Sequence, residues 1–106
     1  MAAPGRHRGD WSHDLAGALK SYRDGLAIAD RLAQSDPDDT NYQRDLSFSH
    51  ARLASALRKA GENAKALDAL REGRAIMVRM TSLSPDNATW KRDLAWFDAQ
   101  IAELAR

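Results

Sequence analysis

The 106-residue chain has no cysteine, only three prolines, 7% aromatic residues and no marked excess of either charge. Without cysteine there is no disulfide framework and no thiolate metal site, which suits a reducing compartment, so the expected location is cytoplasmic. Sixteen Lys and Arg against fifteen Asp and Glu leave a net charge of +1. Such a balance gives no field that gathers phosphates, so neither nucleic acid nor a membrane surface is expected as a partner. No apolar run exceeds four residues, as in Leu26–Ala29 and Ala75–Val78, where crossing a bilayer takes about 20. Residues 1–10 carry Pro4, Gly5 and Gly9 with no apolar stretch, and the expectation for them is a disordered N-terminal arm. The six glycines are scattered and form no phosphate-binding motif. The length allows one small domain, 11–106, and no two-lobed enzyme.

What the chain does have is an internal repeat. Ala18 to Leu46 lies over Ala66 to Leu94 at a constant offset of 48, without gaps, and the units are 11–58 and 59–106. Sixteen of the 48 aligned pairs are identical and only five of those are Ala, so an Ala-rich composition does not explain the match. The informative identities include Gly25/Gly73, Ile28/Ile76, Pro37/Pro85 and the trios Arg44-Asp45-Leu46 and Arg92-Asp93-Leu94.

Each unit reads as two helices. Period-two alternation is absent, and Ala, Leu, Arg and Lys dominate. Leu15, Ala18, Leu19, Tyr22, Leu26, Ala29 and Ala33 recur at three- and four-residue steps, predicting a helix over about 12–34 that Pro37 ends. A second helix is expected over 40–60, with Tyr42, Leu46, Leu53 and Leu57 on one face and Gly61 as a left-handed cap. A third, 63–83, has Asn63 as its expected N-cap, and a fourth, 88–104, should bury Trp90, Leu94, Phe97, Ile101 and Leu104.

The run His50-x2-Leu53-Ala54-x2-Leu57, then Gly61, Ala66-x3-Leu70 and a later Pro resembles the tetratricopeptide (TPR) pattern W-x2-L-G-x2-Y…A-x3-F…P. Ala18-x3-Tyr22 and Ile101-Ala102 are the matching pieces of incomplete neighbouring repeats. His50, Ala54 and Leu57 replace the pattern's aromatic, glycine and tyrosine, so the match lies in side-chain size. The period of 48 exceeds the family's usual 34 by 14 residues, about two helical turns per helix, which keeps the inward face inward. The resemblance is to a long-helix bacterial variant. It implies four antiparallel helices in a short α-α solenoid, forming the C-terminal part of an array, and a surface that grips a peptide or a partner helix.

In that family's phasing the chain opens on a second-type helix, which should expose Gly25, Ile28 and Leu32. The alternative function is therefore self-association, as a homodimer through helix 12–34. An enzyme would need converging titratable groups, and the sequence offers none. Ser12-His13-Asp14 are consecutive and cannot converge on one atom, so they read as helix capping. His50 has Leu46 and Ala54 at four-residue spacing and no ligand partner, and reads as a half-buried side chain with one hydrogen bond. Asp36, Asp38 and Asp39 lack the Gly and Glu of a calcium loop, since Asn41 and Ser47 stand there. No catalytic residue, metal or cofactor is expected.

The candidate partner-binding residues are Arg44, Phe48 and Arg52 with their counterparts Arg92, Trp96 and Gln100, an aromatic-plus-cation strip at four-residue spacing. Two structural roles compete with this. Phe48 and Trp96 can pack on an adjacent helix, and the two Arg-Asp pairs can tie neighbouring helices through Arg71, Asp24 or Glu72.

Overall fold

The computed structural model describes the backbone of residues 2–106 and the side chains of residues 14–106. Four helices follow one another: α1 (Ala2–Ser35), α2 (Thr40–Lys59), α3 (Asn63–Leu83) and α4 (Ala88–Leu104). There is no strand among the described residues, and the all-α class expected from the sequence is the class observed. One helix boundary differs from the expected one. Residues 2–10, expected as an arm, continue α1 in their backbone. Pro4 is the third helical residue, where the missing N–H would have had no partner inside the helix, so it does not break the first turn. Ser12 thus falls within α1, where no cap is required, and the side chains of Ser12 and His13 lie outside the described residues.

The other ends follow local chemistry, and the two units use the same devices. Asp39 caps α2 by accepting from the Tyr42 N–H at 3.0 Å, and its counterpart Asn87 caps α4 by accepting from the Trp90 N–H at 3.0 Å. Gly61 takes φ 79°, and the N–H groups of Gly61 and Glu62 return to the carbonyls of Arg58 and Leu57, the Schellman ending. A Cβ at Gly61 would meet no neighbour, so it is the backbone angle that calls for glycine there. Asn63 is the first residue of α3 and not its cap; Glu62 precedes the helix and makes no capping bond.

By backbone proximity, among the described residues, each helix neighbours the next in the chain, α1 on α2, α2 on α3 and α3 on α4, while long side chains also cross between α2 and α4. The helices follow one another in a row, and the 34-residue α1 sets the length of a molecule of 58 × 33 × 20 Å, whose radius of gyration of 16.0 Å exceeds the ~13 Å of a compact chain of this length. Its core lies at the α2/α3 junction and under α4. Ala54 and Ala66 are buried there and permit close approach, while Leu57, Leu70 and Met77 fill the space beside them. Only Phe97 of α4 is fully buried; Trp90, Leu94, Ile101 and Leu104 pack half-buried against the core, shallower than expected. At Gly73 a Cβ would stand 2.5 Å from the Phe97 ring and 3.0 Å from the Ser47 carbonyl, so the absence of a side chain lets three helices meet.

Candidate functional site

The sequence places Arg44, Phe48 and Arg52 along one side of α2, and the structure divides them. The Arg44 guanidinium lies 4.8 Å from the centre of the Phe48 ring, a cation–π contact within one helix. Its Nε donates to Asp93 Oδ2 of α4 at 2.8 Å, and this bond raises the guanidinium's already high pKa. The two Arg-Asp-Leu trios are thus joined to each other, Arg of the first to Asp of the second. Of the expected partners, Asp24 and Glu72 are not used by Arg44, and Arg71 pairs with Asp68 of its own helix instead of with an Asp of the trios. Phe48 is half-buried under Arg44, whereas Arg52 and Arg92 are exposed and make no ion pair among the described residues.

Trp96 and Gln100 come together with α2. They form one wall of a cleft whose other wall and floor are Ala51, Ala54, Ser55, Arg58 and Leu70. Trp96 is exposed and meets the Phe97 ring edge-on, with centroids 5.1 Å apart at 83°, so the buried Phe97 fixes the Trp96 indole. The backbones of α2 and α4 do not touch, since α3 lies between them; only long side chains cross. Two ion pairs cross between α2 and α4, Arg44 to Asp93 and Arg58 Nη2 to Glu103 Oε1 at 3.2 Å, and of these four residues Arg58 lines the cleft. The cleft volume of about 100 Å³ is below the ~300 Å³ of a small-molecule pocket and fits one or two side chains of a larger partner.

His50 faces away from this cleft. It is half-buried, makes no side-chain hydrogen bond among the described residues, and burial lowers its pKa from 6.5 despite the opposing pull of Glu72 and Asp30. Among the described residues no three His, Asp or Glu side chains gather as a metal site, and no helix is long and apolar enough to cross a membrane. Sequence reasoning missed Arg58, Ala51 and Ala54 as residues lining the cleft, and Glu103, which pairs with Arg58. The signal was available: Ala51/Ala99, Ala54/Ala102 and Arg58/Arg106 are identities of the repeat. No protein-family model, curated protein or solved structure matches the chain.

Proposed function

We propose that the chain is a non-catalytic protein-interaction module, a short TPR-like solenoid that binds an extended peptide or a partner helix across α2 and α4. The observation that carries this reading is the Trp96 cleft. An exposed indole, held edge-on by a buried ring, stands beside the Gln100 amide over a floor of two alanines. A rigid aromatic with a hydrogen-bonding neighbour is the kind of anchor that concentrates binding energy in protein contacts. Two partly exposed ion pairs, Arg44–Asp93 and Arg58–Glu103, run between the same two helices and add a modest tie between them. Phe48 and Arg44 serve mainly to hold α4 against α2, and of the strip of six the cleft keeps Trp96 and Gln100.

The test is selection of peptides on the intact chain from a random display library, followed by titration of a selected peptide against the Trp96→Ala variant. A loss of at least about tenfold in affinity is expected, as for a central aromatic anchor. Equal affinity for both proteins, with helicity preserved, would remove the cleft as the binding site.

A further inference from the structure

The two ends of the row are unequal halves of the junction at its centre. At that junction α3 presents Leu70, Gly73, Ile76 and Met80 to the row, and Leu70, Ile76 and Met80 are 5%, 4% and 3% exposed. Their counterparts 48 positions earlier on α1 are Tyr22, Gly25, Ile28 and Leu32, and here Tyr22, Ile28 and Leu32 are 38%, 57% and 43% exposed. The other half shows the same contrast. Ser47, Ala51 and Ala54 of α2 are buried, while their counterparts Ala95, Ala99 and Ala102 on α4 are all exposed.

We propose that copies of this chain stack head to tail, α4 of one copy covering α1 of the next and reproducing the internal α2/α3 junction. The occupant of the uncovered α1 face is set by three features. First, the junction that buries this face in the second unit already exists in the molecule, and α4 carries the counterparts of the α2 residues that form it. Second, charge matches. Arg44 of the first unit pairs with Asp93 of the second, so the stack pairs Arg92 of one copy with Asp45 of the next. Both are exposed and make no ion pair among the described residues, and Asp45 borders the small apolar cleft formed by Gly25, Ile28 and Leu32. Third, space matches. The Ser47 carbonyl stands 3.0 Å from where a Cβ at Gly73 would lie, and nothing occupies the equivalent volume at Gly25, which is left for the Ala95 backbone. An α1-on-α1 homodimer uses the same apolar face but leaves Arg92 and the α4 alanines bare. The stacked contact is heterologous, so it grows an open chain instead of closing at two.

Sedimentation of the wild-type chain tests this. A single helix-on-helix contact is a small interface, so association is weak, and concentrations up to about 1 mM are needed. The average mass is expected to rise throughout that range with no plateau at two copies. Ile28→Glu, at the open face, and Ala99→Glu, at the covering face, each lie on the surface and leave helicity unchanged. Each variant alone should remain monomeric, and their equimolar mixture should stop at a dimer, because one intact face remains on each. Arg92→Glu should weaken wild-type stacking by up to about fivefold, and adding Asp45→Arg to the same chain should restore it. A wild type that remains monomeric overturns the proposal. So does Ala99→Glu self-associating like wild type while Ile28→Glu does not, the pattern of an α1 homodimer. The proposal does not depend on peptide binding at Trp96, and Trp96→Ala, which alters that cleft, separates the two.

Discussion

Gly25 and Gly73 stand at the same place in the two units and meet opposite surroundings. A Cβ at Gly73 would run into the Phe97 ring and the Ser47 carbonyl, and one at Gly25 would meet nothing within 4 Å. Part of the difference is the row, since α3 has a helix on either side and α1 has one. The rest is sequence. The residue that fills the space at Gly73 is Phe97, and its counterpart in the first unit is Ser49, too short to reach and hydrogen-bonded to its own helix through the Asp45 carbonyl. A unit of this kind has no core of its own. Among the described residues, burial is concentrated where helices meet, at the α2/α3 junction and under α4.

The sharpest way to break this comparison is to truncate the two counterparts. Phe97→Ala removes a fully buried ring from the α3/α4 contact and should destabilise the chain by about 3–5 kcal/mol in urea unfolding, enough to unfold a domain this small at ambient temperature. Ser49→Ala removes a half-buried hydroxyl bonded to its own helix and should cost less than about 1 kcal/mol. Similar losses from the two would mean that the first unit carries a core the geometry does not show.

The glycines give the next largest difference, and one of opposite sign. Gly73→Ala places a methyl group into the ring and carbonyl at 2.5 and 3.0 Å and should cost about 1–3 kcal/mol, because Phe97 is enclosed and has nowhere to turn. Gly25→Ala gains helix propensity without a clash and should stabilise by up to about 1 kcal/mol. Combining Gly73→Ala with Phe97→Leu should cost less than the sum of the two, since the shorter side chain makes room for the methyl group.

How far such effects can be read from the sequence depends on how local their causes are. The limits of α2, α3 and α4 lie within a residue of the expected ones, because Asp39, Gly61, Pro85 and Asn87 act on their own turns. The start of α1 was not legible: Pro4 signals a break or a first turn equally well, and nothing nearby decides. The buried small residues Ala54 and Ala66 were legible from the repeat's size pattern, as was the exposure of Ile28 and Leu32. Phe97 as the plug at Gly73 was not, since the pairing depends on how far α4 leans over α3. The strip of Arg44, Phe48 and Arg52 was drawn on a four-residue step, and over nine residues that step drifts around the helix. It therefore carries Arg52 off the cleft, while Ala51, Ser55 and Arg58 stay on it.

Arg44–Asp93 gives a smaller effect that probes the same junction from its rim. Arg44 keeps over a third of its side chain exposed, so the pair is worth little more than a surface ion pair, and a double-mutant cycle with Arg44→Ala and Asp93→Ala should give a coupling of about 0.5–1 kcal/mol. The coupling should shrink in high salt. Arg92 and Asp45, the counterparts at the two ends, should show none within a single copy.

The smallest expected effect is one of pH, and it contrasts His50 with its counterpart Asp98. Asp98 lies at the outer rim of α4, where Arg74 pairs with it, whereas His50 sits half-buried between α1 and α3 with Asp30 and Glu72 nearby. Burial lowers the folded-state pKa of His50 below the 6.5 of the free side chain, and the two carboxylates partly oppose this. Between those two values the unfolded chain holds more protons than the folded one. Stability is therefore unaffected by His50 above about pH 6.5 and falls as the pH drops through 6.5 towards the folded value. His50→Gln should flatten that part of the stability profile. Glu72→Gln removes an attraction for the proton, so in an NMR titration the His50 ring should protonate at lower pH than in wild type and the loss of stability should grow. A midpoint that moves upward would show that Glu72 does not face the ring, and would place His50 outside the junction that distinguishes the two units.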